Sequence, residues 1–244
     1  MAEQWLSALV RDATHLLFPD GCAGCAAASV PLRFGVCIEC VAALDGLRPH
    51  RTQPDPVPRG FPACAALGEY AGTLRELLLA YKDRGRHRLA RPLGRLLAAV
   101  VTQVAGSAQR LVLVPVPDTP AAARARHGDH LWRLARPAAD ALRRAGWPVS
   151  LARPLRARPR PDSVHLDAAT RAVLAAAALR PRPAQVAVLR RRLAREGGTV
   201  ILLDDVVTTG ATLAAASAQL AEAGVPVRAA AVLAATRRRS GNGG

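Results

Sequence analysis

From Ala63 onward, short apolar runs alternate with stretches of helical periodicity, and this alternation is the tightest constraint on the fold. Strands are expected at 63–70 ("ACAALGEY"), 110–117 ("RLVLVPVP"), 149–152, 199–205 ("TVILLDD") and 227–235 ("VRAAAVLAA"). Between them, apolar residues recur every three or four positions at 72–83, 89–104, 130–146, 167–179 and 212–225, which predicts helices. Asp167 suits the cap of the fourth helix, and Gly224 closes the last one. Strands that are apolar without alternation belong in a sheet covered on both faces. The expected fold class is therefore α/β, with a mainly parallel sheet flanked by helices.

One of these strands breaks its own pattern. In "VILLDDVVTTGATL", Val200 to Leu213, two carboxylates stand side by side at the end of an apolar run. On a regular strand Asp204 and Asp205 point to opposite faces, so a shared ligand requires the backbone to be turning there. Acceptors at that position suit a sugar diol, a magnesium ion, or both. Val207 to Thr212 then lead into a helix. The loop amides, the hydroxyls of Thr208, Thr209 and Thr212, and the helix N-terminus together make a phosphate cradle. Diol acceptors followed directly by a phosphate cradle describe a ribose 5-phosphate site. A P-loop NTPase would need G-x-x-x-x-G-K-[ST], and the sole lysine, Lys82, is not in that setting. A dinucleotide fold would need G-x-G-x-x-G after a strand, and none is present.

A second constellation lies upstream. Cys22-x2-Cys25 and Cys37-x2-Cys40 are two pairs separated by eleven residues, the spacing of a closed, structural four-thiolate zinc site. Gly21 and Gly24 permit the tight turn that aims amides at sulfur. Redox chemistry of the thioredoxin kind needs one such pair in a βαβ setting, and disulfides fit a reducing compartment poorly. Cys64 reads as a small buried apolar residue.

The formal charge of +16 is almost entirely arginine. It reflects compositional bias or an attraction to polyanions, nucleic acid or phosphorylated small molecules. Three Trp, two Tyr and three Phe leave little for base stacking. The N-terminal stretch reads as an amphipathic helix over 4–17 rather than a signal peptide. No apolar run is long enough to span a bilayer, so the expected location is the cytoplasm, with no membrane partner. The expected organisation is an N-terminal helix and four-cysteine module at 1–47, a Pro-rich linker at 48–62, the α/β domain at 63–236 and a disordered tail at 237–244.

"VILLDDVVTTGATL" resembles the phosphoribosyl-pyrophosphate (PRPP) motif of type I phosphoribosyltransferases. The resemblance implies that Asp204 and Asp205 hold the ribose hydroxyls in a catalytic role. It gives Val206, Val207, Thr208, Thr209, Gly210, Ala211 and Thr212 to the 5-phosphate. The chain as a whole is similar to the ComF family of competence-associated, phosphoribosyltransferase-like proteins. The resemblance rests on "FPDGCAGC…CIEC", "YAGTLRELLLAYKDRGRHRLARPLG", "LVPVPDTPAAARARHGDHLWRLAR" and the last motif, in that order. The family often has Arg-Gly-Phe-Asn-Gln where this chain has Arg126-His127-Gly128-Asp129-His130, and the 156–174 stretch lacks the Gln and Asn expected near it. The resemblance implies a phosphoribosyltransferase-like fold, Mg2+ accompanying PRPP, structural Zn2+, and protein partners in DNA uptake. Asp118, Arg124 and Arg126, in the loop after "LVPVP", are candidates for the pyrophosphate side, as is Lys82. His127 and His130 are candidates for acid–base work. Three readings stay open: a phosphoribosyltransferase with an unknown acceptor, a non-catalytic PRPP or nucleotide sensor or DNA-processing accessory on the same fold, and a nucleic-acid binder using zinc module and arginines.

Overall fold

The computed structural model describes residues 21–158 and 178–236. The helix expected at 4–17, the first eleven residues of the helix expected at 167–179 and the tail from 237 lie outside the described residues; Leu179, the last expected helical residue, instead opens a strand, Leu179–Pro181. The chain divides into two compact units, Met1–Gly46 with Ala71–Leu89, and Leu47–Tyr70 with Ala90–Gly244.

The first unit holds helices α1 (Ile38–Asp45) and α2 (Gly72–Lys82). α2 buries Leu74, Leu77, Leu78, Ala80 and Tyr81, one side of a helical repeat. The Arg86 guanidinium donates to the Gly21 carbonyl at 2.9 Å, anchoring the first cysteine turn. Here the structure departs from the expected boundaries, because α2 sits with the cysteines and not with the sheet. Periodicity shows that a helix has an apolar face; it does not show what covers it.

The second unit is built on a six-stranded mixed sheet whose strands lie, from edge to edge, in the order His50–Thr52, Ala63–Glu69, Val227–Ala235, Thr199–Val207, Leu111–Pro115 and Val149–Leu151. The strands are β1 (His50–Thr52), β2 (Ala63–Glu69), β3 (Leu111–Pro115), β4 (Val149–Leu151), β7 (Thr199–Val207) and β8 (Val227–Ala235). β1 is antiparallel to β2, and every other pairing is parallel. All five residues of β3 are buried, as a central parallel strand requires. β5 (Leu155–Ala157) and β6 (Leu179–Pro181) form a separate antiparallel ribbon.

The expected linker at 48–62 is part of this unit. It contributes β1, in register with β2 from His50↔Ala66 to Thr52↔Cys64, and its Pro54 is buried. A three-residue polar edge strand carries no periodic signal, so the prolines dominated the sequence reading.

Around the sheet run α3 (Ala90–Ala105), α4 (Pro120–Ala125), α5 (His130–Arg144), α6 (Pro183–Glu196) and α7 (Ala211–Glu222). α3 and α5 pack at close range: a Cβ on Gly94 would lie 2.6 Å from Pro137 Cγ and 2.9 Å from the Leu134 carbonyl. Glycine at this crossing lets the two backbones touch. The connection β3→α5→β4 moves one way across the sheet, and β7→α7→β8 moves the other. Right-handed crossovers therefore put α5 and α7 on opposite faces. β3 and β7 are neighbours, so the chain leaves their carboxyl ends in opposite directions and opens a crevice between them.

Candidate functional site at the strand switch point

The crevice is the ligand position that the topology provides. Its floor is the end of β7. Asp204 and Asp205 lie within that strand, not at its end: Asp204 pairs with Val232, and the ladder continues through Val207↔Ala235. The backbone is not turning at the aspartates, so their side chains take opposite faces.

The two carboxylates have different surroundings. Asp205 is 5% exposed. Its Oδ1 accepts from the Val206 amide at 2.8 Å, and its Oδ2 faces His130 Nε2 at 3.1 Å. Asp204 is half-buried, and its Oδ1 accepts from the Asp205 amide at 2.9 Å. On the same face, burial and then the Asp204 charge push the Cys64 thiol up to about 12, so it stays protonated and apolar.

His130 opens α5 and is itself buried. Its Nδ1 hydrogen-bonds the Asp118 carboxylate, whose Oδ2 also accepts from the His130 amide at 3.2 Å. The other oxygen of Asp118 accepts from Arg126 at 3.2 Å. Both ring nitrogens thus face carboxylate oxygens, which only the doubly protonated imidazolium satisfies. Burial opposes that charge, but the hydrogen bonds and charges of Asp118 and Asp205 prevail and raise the His130 pKa to about 9. Burial likewise works against the Asp118 carboxylate, and the His130 and Arg126 contacts hold it below its usual value. Two negative and two positive groups form a closed, neutral chain from β7 to the loop after β3.

The elements that carry these groups are locally well determined. Thr119 caps α4, accepting from the Ala122 amide at 3.2 Å, with Pro120 at the first helical position. Asp129 caps α5, accepting from the Trp132 amide at 2.9 Å. Arg153 pairs with Asp129 and lies 4.8 Å from the Trp132 ring centroid.

On the other wall, Gly210 takes φ 72° and starts α7. A Cβ there would lie 2.7 Å from Pro54 Cγ and 2.8 Å from Phe61 Cε2, so both the conformation and the space require glycine. Thr208 is exposed and Thr209 and Thr212 are half-buried beside the first amides of α7. Val206 and Val207 remain in the strand.

Of the other expected residues, Arg124 is exposed in the last turn of α4, and Arg126 is directed to Asp118. Lys82 closes α2 in the cysteine-bearing unit. His127 is exposed, at φ 52°. The Asp118–His130–Asp205 chain was not legible as a unit, because His130 and Asp205 are 75 residues apart. The available signal was a His at the start of the helix that follows the loop after β3, at the switch point. A cavity of about 580 Å³ opens at the opposite ends of the strands, near Val200 and Pro226. Its lining includes Arg190 and Arg191 but no carboxylate or histidine, and the crevice holds the richer chemistry.

In the first unit, Cys22, Cys25, Cys37 and Cys40 bring their sulfurs within 4.8 Å of one another. The Cys25 and Cys37 sulfurs are 3.7 Å apart, close to the ~3.8 Å edge of a tetrahedron with ~2.3 Å zinc–sulfur bonds. The amides of Gly24 and Cys37 point at Cys22 Sγ, at 3.4 and 3.2 Å. Burial opposes the Cys22 thiolate, but those amides and that of Cys25 lower its pKa to about 6. Cys37 is pushed up to about 11 despite a Cys40 amide, and burial and its sulfur neighbours raise Cys40 further. Four such sulfurs ionise together only around a cation, and the cluster could hold a metal such as zinc. A Cβ on Gly24 would meet Cys40 Sγ at 2.8 Å, which explains the glycine inside the first pair.

Among the described residues, no other group of three or more metal-ligating side chains is gathered. Each oxygen of Asp205 has a partner within the protein, His130 for Oδ2 and the Val206 amide for Oδ1. No helix of the described residues is long and apolar enough to cross a membrane. No family model matches the chain, and no curated protein matches it.

Proposed function

We propose that the protein binds a ribose 5-phosphate, PRPP in particular, at the switch-point crevice, as a phosphoribosyltransferase-like protein of the ComF type. The observation that supports this most is that "TTGAT" follows directly on the carboxyl end of β7, whose last stretch of ladder holds the two aspartates, beside the divergent loop after β3. The 5-phosphate is received by Thr208, Thr209, Thr212 and the first amides of α7. Asp204 accepts from the ribose hydroxyls, and Asp205 supports the strand end through His130. Any magnesium comes with the pyrophosphate. Transfer would pass through an oxocarbenium-like state needing no protein nucleophile, so the residues' work is to hold the phosphate and orient the ring. The four cysteines hold one structural zinc.

Calorimetry with PRPP and magnesium chloride tests the reading. Wild-type protein is expected to bind, and Asp204→Asn to bind at least tenfold more weakly at unchanged thermal midpoint. Absence of wild-type binding would sink the proposal. Pyrophosphate release on adding candidate acceptors separates an enzyme from a non-catalytic sensor. The direction of Arg126 toward Asp118 favours keeping the sensor in view, since that guanidinium is then not aimed at a departing pyrophosphate. A role in DNA uptake, through protein partners or weak nucleic-acid contact in the cytoplasm, is the wider setting of this proposal.

A further inference from the structure

The His130 ring bridges the two walls of the crevice by hydrogen bonds at both of its nitrogens. One wall is the loop after β3, through Asp118; the other is β7, through Asp205. The charged groups facing the ring are Asp118, with Arg126 behind it, and Asp205. Asp129 and Arg153 pair with each other one residue outside the chain. Asp204 lies on the far face of β7.

We propose that His130 is a positioning residue: by holding Asp118 and Asp205 at once, it fixes the separation of the two crevice walls between which the sugar phosphate sits. This rests on the ribose-phosphate reading. It assigns the adjacent aspartates different work. Asp204, on the other face of β7, is left to the ribose hydroxyls at the mouth of the crevice, and Asp205 acts through the imidazole on the opposite loop. Several observations carry it. Both ring nitrogens are occupied by carboxylates from different elements. The three groups are almost fully buried, so their geometry is held without water. The same residue begins α5 and its amide also donates to Asp118, so the ring and the helix N-terminus are held by one carboxylate.

The test is a double-mutant cycle on PRPP affinity by calorimetry at pH 7 with magnesium chloride. His130→Gln and Asp205→Asn are each expected to weaken binding about tenfold, the size of a lost charge-assisted bond. Together they should weaken it no further than the stronger single change, whereas Asp204→Asn should add to His130→Gln in full. A pH series gives a readout that bulk packing would not move. The wild-type advantage over His130→Gln should hold from pH 6 to 8 and fade above about 9, where the imidazolium loses its proton. Wild-type affinity in His130→Gln, or full additivity with Asp205→Asn, would overturn the inference. If His130→Gln does not fold, Asp118→Asn decides: it should also weaken binding, and unchanged affinity overturns the inference. No binding by wild type at all would be recognisable as failure of the underlying reading.

Discussion

The two clusters solve the same electrostatic problem by different means. Around the cysteines, four thiols converge within 4.8 Å of one another, and one sulfur, Cys22, takes the charge while Cys37 and Cys40 resist it. At the switch point, Asp118 and Asp205 converge on a cation the chain itself supplies, with Arg126 completing the balance. A metal held by the four cysteines would supply the charge that the first arrangement lacks; the second has its counter-charges within the chain. Stability in the two units should therefore respond to different agents, metal removal in one and pH in the other.

Metal removal should have the largest effect. Structural zinc in small thiolate modules contributes on the order of 10 kcal/mol, so a strong chelator or Cys40→Ser should abolish folded structure around residues 21–46. Hydrogen exchange should show that loss while β3, β7 and β8 stay protected, and metal analysis of untreated protein should give one zinc per chain. Protection that survives chelation would erase the contrast between the two clusters.

Next in size is Gly210→Ala. A left-handed non-glycine residue costs ~1–2 kcal/mol, and collision with Pro54 and Phe61 adds ~1–3, so about 2–5 kcal/mol of unfolding free energy should be lost. The 208–212 loop would open as it shifts, so on the proposed reading PRPP affinity should fall as well. Retained affinity in a destabilised protein would move the phosphate away from this loop.

His130→Gln should cost less, and its cost should depend on pH. The folded pKa of about 9 lies above the ordinary value of 6.5, so the imidazolium contributes stability fully below 6.5 and loses it as pH rises through about 9. That difference corresponds to ~3 kcal/mol as an upper figure. Urea midpoints of wild type and variant should be furthest apart near pH 6 and converge toward pH 9.5. Curves that stay parallel would show that the ring is not charged. Asp118, held low, loses its own contribution only as pH falls, so the two effects sit at opposite ends of the range.

How much of this was legible in the sequence depended on spacing. The cysteines were readable because their ligand pattern is local, two residues inside each pair. β3, β7, β8 and the helices at 90–105, 130–144 and 211–222 were readable because each is long or uniformly apolar. α6 was missed: it buries only Val186 and Leu189 and carries four arginines, so no apolar stripe marks it. β7 was expected to stop at Asp205 and runs to Val207. Polar residues were read as a strand end, but Asp205 is tolerated inside because a residue far along the chain neutralises it. The role of 48–62 was hidden for a related reason, since Pro54 and Phe61 cover a glycine that is distant in sequence.

The smallest expected effect concerns the cap that sets His130 in place. Asp129 accepts from the Trp132 amide and pairs with Arg153, which also lies over the Trp132 ring. Removing an N-cap carboxylate costs ~1 kcal/mol, and the partly exposed Arg153 contact adds little. Asp129→Ala should therefore lower stability by about 1 kcal/mol, where His130→Gln lowers it more. Asp129→Asn should restore most of the loss, because the amide oxygen still accepts from Trp132 while the ion pair is gone. Full recovery in Asn would show that the cap, not Arg153, anchors the start of α5. No recovery would shift that work to the charge pair and extend the switch-point network beyond Asp118, Arg126, His130 and Asp205.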